Sequence, residues 1–198
     1  MMFNSRALAA TAGLLLAAAA AQAAPPPPPA PGATHKGMTW RTYGNNVPGG
    51  AVVGCKNQCN AYQGDTLPSE RLPVLCIVPG TSPEPAGYAA AVGGPTAAGA
   101  ASSNWRFYYG WSGGQIGLSR PTLGADLTSR TVGDNICKRD LKDPNARMAE
   151  HHDNKVGGWG LGGMIHPNSN AKGLLTNGGT SDSKFWTAIK NQPANPWN

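Results

Sequence analysis

The sequence predicts an α+β fold: a single loop-rich domain with short antiparallel strands and one or two helices. Three observations predict it. Glycine (27) and proline (18) punctuate the 198 residues, so regular elements must be short. Few windows sustain the apolar period of 3.6 residues that a helical bundle needs. Six tryptophans and five tyrosines offer large anchors around which short segments can pack.

The chain opens with "MMFNSRALAATAGLLLAAAAAQAA". Arg6 supplies a positive n-region, Leu8 to Ala20 an apolar core, and Ala21-Gln22-Ala23 an A-x-A cleavage site. Residues 1–23 therefore read as a secretory signal peptide of bacterial type. Their apolar core is too short to cross roughly 30 Å of hydrocarbon. Residues 24–35 read as a proline-rich linker, because the run from Pro25 favours extended polyproline II. Residues 36–198 remain as one secreted α+β domain, long enough to bury its own core. No later stretch has transmembrane length. The mature chain is expected in the periplasm, on the outer surface or outside the cell.

"LPVLCIVPG" (72–80) is a short apolar run closed by Pro-Gly, a buried strand followed by a turn. "GYAAAVGGPTAAGAASSN" (87–104) is rich in small residues and reads as a surface loop. "NWRFYYGW" (104–111) is aromatic and alternating, and reads as a strand. Leu127 to Leu141 is the best helix candidate. Thr128 or Ser129 can accept from the first-turn N–H groups, Val132 and Ile136 fall near one face, and Pro144 prevents continuation. "ARMAEHHD" (146–153) reads as a strand or a tight extended segment. "SKFWTAIKNQ" (183–192) fits a short strand or a short helix.

Cys55, Cys59, Cys76 and Cys137 are even in number on an exported chain, so disulfides are expected. Four cysteines allow three pairings, and spacing does not choose among them. Cys55-x3-Cys59 lacks the second ligand pair of a zinc site.

The net charge is +6, but its lysines and arginines are scattered. Nucleic-acid binding needs a clustered stripe, so no nucleic-acid partner is expected. A diffuse positive field suits a glycan or another envelope component.

Three constellations could carry chemistry. The first is Glu150-His151-His152-Asp153. In an extended segment the four alternate sides, so no more than two share a face. A catalytic zinc needs three convergent ligands, and a third would have to come from His166 or beyond. No metal is assigned. One histidine is expected to be buried beside the 127–141 helix and hydrogen-bonded to backbone, the other solvated. Glu150 and Asp153 can lock the turn by accepting from backbone N–H groups. The second is Gly110-Trp111-Ser112-Gly113-Gly114, which has the G-x-S-x-G spacing of a nucleophile elbow. The required following helix is interrupted by Gly117 and Pro121, so no catalytic residue is assigned, and a glycine-dependent turn is expected. The third is aromatic. Trp and Tyr in glycine-rich loops present flat stacking faces to sugars, which makes Tyr109, Trp111, Trp159 and Trp197 the candidate ligand-binding residues.

"YYGWSGGQIGLSRP", "ARMAEHHD", "GGWG" and "FWTAIKNQPANPW" together resemble a family of uncharacterised secreted bacterial proteins. The shared pattern runs aromatic-GW-x-GG-x-I-G, a helix with one cysteine, R-M-A-E-x-H-D, GGWG and F-W-x-x-I-x-x-Q-x-A-N-C-W. It spans roughly Cys59 to Trp197. Pro196 stands where that pattern ends in cysteine, so the resemblance implies no bridge from Cys137 to the C-terminus. More remotely, the order of cysteine-bearing helix, Gly/Trp loops and Trp-rich end resembles a C-type lectin-like domain. Gln192-Pro193 and Trp197-Asn198 are only fragments of its calcium motifs, so no calcium or other cofactor is implied.

The functional expectation is a secreted binding protein that recognises a glycan or surface partner through Trp and Tyr. An envelope hydrolase using Ser112 or a histidine-held metal is one alternative. A structural envelope protein is the other.

Overall fold

The computed structural model describes residues 35–43, 47, 49–55, 58–92, 105–170, 172, 175 and 183–198. The signal peptide and nearly all of the linker lie outside the described residues. Short runs between turns become strands here: β1 (Thr39–Thr42), β2 (Gly50–Gly54), β3 (Arg71–Leu72) and β4 (Leu75–Val78). β5 (Gly110–Leu118), β6 (Thr122–Leu123), β7 (Arg147–Met148), β8 (Gly160–Ile165) and β9 (Lys184–Trp186) follow. Seven of them form one sheet, ordered β7-β4-β5-β8-β2-β1-β9, while β3 pairs with β6. Every neighbouring pair is antiparallel except β5 and β8. With its helices this is an α+β domain.

The two ends of the sheet meet. Beyond β7, Glu150 bridges Ala188, and the Ala188 N–H donates to the Ala149 carbonyl at 2.9 Å. Val74 bridges Trp186, whose N–H donates to the Pro73 carbonyl at 2.8 Å. Strand edges otherwise left bare are thereby covered.

Side chains pack on both faces. Trp40, Val53, Leu75, Ile116, Leu161 and Phe185 build one core cluster. Val74, Cys76, Leu127, Cys137, Leu141, Met148 and Trp186 build a second, against helix α3 (Arg130–Leu141). Of the two candidate caps, Ser129 acts: its hydroxyl accepts from the Val132 N–H at 3.2 Å. Lys142 takes a left-handed conformation and ends the helix before Pro144. The cysteines pair as Cys55–Cys59 and Cys76–Cys137, and the second bridge ties α3 to β4.

Several expectations are corrected. Tyr88–Ala91 is a helical turn, α1, with Tyr88 buried, where the sequence suggested loop. Residues 93–104 of that low-complexity stretch lie outside the described residues. "NWRFYYGW" is not one strand: Trp105–Tyr109 is helix α2, and β5 starts only at Gly110. Packing overrides β propensity there. The backbone of α2 lies so close to Gly158 and Gly160 that a Cβ at either would collide with the carbonyls of Phe107 and Tyr108. Tyr88 completes the arrangement by donating its hydroxyl to the Tyr109 carbonyl at 2.5 Å.

Candidate binding groove

The Glu150–Asp153 stretch is a turn, not an extended segment. The Asp153 N–H donates to the Glu150 carbonyl at 3.1 Å, and the Asp153 carboxylate accepts the Glu150 N–H at 2.7 Å. The same carboxylate receives both terminal nitrogens of Arg147, at 3.0 and 2.5 Å. Glu150 reaches Arg130 of α3 at 3.7 Å. Arg130 also holds Asp134 and donates to the Met148 carbonyl at 2.8 Å. Strand alternation therefore does not govern these side chains. The acids turn back onto arginines of the fold, and both histidines line a groove.

The groove has a volume of about 180 Å³. Ala61 and Tyr62 form one wall, His151, His152 and Trp159 another, and Ile189 to Gln192 a third. Three distant segments meet there because the sheet ends meet. Ala188 bridges Glu150, and the Ala194 N–H donates to the Ala61 carbonyl at 3.1 Å. Tyr62 is 69% exposed, and Trp159 is half-buried against the core. Asn191 adopts a left-handed φ of 65°, which Asn tolerates better than most residues.

His151 stands edge-on to His152 and Trp159, with ring centroids 4.5 and 4.3 Å apart. Both its ring nitrogens are buried and without a hydrogen-bond partner. The expected backbone bond is not made. Burial, with a smaller contribution from His152, holds the His151 pKa below its ordinary value. The buried, hydrogen-bonded histidine near α3 is His166. Its Nδ1 accepts from the Asn168 N–H at 3.2 Å, and its Nε2 lies 3.8 Å from Asp143. Among the described residues no three His, Cys, Asp or Glu side chains could hold a metal together.

The aromatic candidates are not brought together. Trp159 lines the groove. Trp111 is 3% exposed, donates its indole N–H to the Ser82 carbonyl at 2.9 Å, and borders a separate cleft of about 240 Å³ with Glu84, Arg106, Lys155 and Val156. Tyr109 is half-buried edge-on to Tyr43, and Trp197 packs partly buried against the α3 cluster. Ser112 lies inside β5, which runs on as strand to Leu118 instead of turning into a helix. Its hydroxyl donates to the Gly162 carbonyl at 2.8 Å. The glycine-dependent feature is real in another form: Gly113, at φ 78°, accompanies a register shift against β8.

Sequence reasoning missed Tyr62, Lys190, Asn191 and Gln192. The segment 190–192 follows a strand whose edge contacts cannot be read locally, so only the closure of the sheet identifies it. No protein family, curated protein or solved structure matches the chain.

Proposed function

We propose that the protein is an exported binding protein of the cell envelope or extracellular space, and that its groove takes a glycan or a surface partner presenting one. The carrying observation is Trp159 and exposed Tyr62 in one groove with Asn191 and Gln192. Flat indole and phenol faces stack on pyranose rings, and their polar edges stay wet. Side-chain amides offer both donors and acceptors to sugar hydroxyls. Export rests on the signal-peptide pattern of residues 1–23, and two disulfides suit an oxidising compartment. The remote likeness to C-type lectin-like domains points the same way, without a calcium site.

The hydrolase reading has no comparable support, because Ser112 is 8% exposed and its hydroxyl is already donated. A glycan array followed by calorimetric titration tests the proposal. Binding without turnover, lost in Trp159→Ala while the circular dichroism spectrum is kept, is the expected result. No bound glycan, together with concentration-dependent assembly of the protein alone, would favour a structural role instead.

A further inference from the structure

We infer that the groove selects anionic saccharides over neutral ones; this rests on the groove being a glycan site. The turn sorts its four residues by charge. Asp153 is 4% exposed at its side chain and paired with Arg147. Glu150 is 17% exposed at its side chain and faces Arg130. Both carboxylates are thus neutralised and drawn into the fold. The imidazoles of His151 and His152 are left to line the groove, and exposed Lys190 stands across from them. Among the described lining residues there is no Asp or Glu. The groove therefore presents one ammonium, the His152 imidazole and the ring of His151 with its nitrogens buried, and no carboxylate of its own to oppose an incoming anion.

That arrangement discriminates in both directions. An anionic sugar meets exposed Lys190, and the attraction is that of a solvent-accessible charge pair, which salt weakens. A cationic amino sugar meets only like charge, which is a repulsive element against the wrong ligand. A neutral sugar keeps its stacking on Trp159 and Tyr62 but gains nothing from the field. The scattered net positive charge of the chain beyond residue 23 adds a weak long-range pull of the same sign.

The test uses the full mature chain and matched ligand pairs that differ only in charge. These are uronate oligosaccharides with their methyl esters, and sulfated oligosaccharides with their desulfated forms. The acidic member of a binding pair should bind about fivefold more tightly at low salt, the size of one solvent-accessible charge contact. The gap should narrow as salt rises toward 1 M, where the Debye length is about 3 Å. Lys190→Gln, at an exposed position, should cut affinity for the acidic member and shrink the ratio within the pair. Equal binding of both members, or a ratio unmoved by salt, overturns the selectivity while leaving the glycan site standing. No binding to any pair, or to neutral glycans on the array, removes the site itself.

Discussion

Replacing Asp153 by alanine should unlock the turn that carries His151 and His152. The Asp153 carboxylate accepts three hydrogen bonds, from the Glu150 N–H at 2.7 Å and from Arg147 at 3.0 and 2.5 Å. Breaking a buried ion pair from one side costs about 3–5 kcal/mol, because the other charge is stranded. Arg147 keeps 31% of its side chain exposed, so water recovers part of that loss, and a cost of about 3 kcal/mol follows. With a urea slope of about 2 kcal/mol per molar, the unfolding midpoint should fall by about 1.5 M. Asp153→Asn keeps one acceptor and loses the charge, so it should fall between alanine and the unaltered protein. The double variant with Arg147→Ala should lose less than the sum of the two single losses, because the partners share one interaction. A midpoint shift below about 0.3 M for Asp153→Ala would refute the claim that this carboxylate fixes the turn.

Other outcomes follow from the same contacts. Burial alone would raise the Asp140 carboxyl, but hydrogen bonds from Arg139 and Arg120 outweigh it and hold the pKa down at about 2. A depressed carboxylate stabilises the fold above its unfolded pKa of 3.8, and that stability is lost as pH falls toward about 2. A thermal melt series should show this slope, and Asp140→Asn should flatten it; an unchanged slope counts against the assignment. His151 should titrate in NMR below the ordinary value of 6.5, so native stability declines as pH falls below 6.5 until the folded-state pKa is passed. An imidazole titrating at or above 6.5 contradicts its burial. Removing the Cys76–Cys137 bridge, which spans 61 residues, should cost about 4 kcal/mol on the chain-entropy account, read as a lower denaturation midpoint. An unaltered midpoint after replacing both cysteines by serine would show that the bridge contributes nothing.

The parts of the fold legible in the sequence were those decided locally. Leu75–Val78 is a strand bounded by its own turn residues, and α3 carries its cap at Ser129 and its stop before Pro144. Elements decided by distant partners were misread. Alternating aromatics suggested a strand at 105–109, whereas close backbone contact with Gly158 and Gly160 accompanies a helix there. The site shows the same division. Asp153 does accept a backbone N–H in its own turn, as its position suggests, but Glu150 goes to Arg130, twenty residues earlier in the chain. Trp159, singled out by its glycine-rich setting, does line the groove. Lys190 to Gln192 could not be singled out, because they reach the histidines only through the closure of the sheet.

That closure combines two strand bridges, a few backbone hydrogen bonds, the Thr187 hydroxyl donated to the Ala149 carbonyl, and the buried packing of Trp186 and Ala188 against Val74 and Met148. His151 and His152 sit on one lip of this seam, and Ile189 to Gln192 on the other. On the proposed reading, a ligand filling the groove would act as a clasp across that seam. Should the seam part, two raw strand edges appear at once, the shape that recruits neighbouring chains into aggregates. By mass action, whatever binds only the closed form suppresses the parted one. On the proposed binding role, occupancy would then also protect against aggregation, and ligand-free protein should aggregate first.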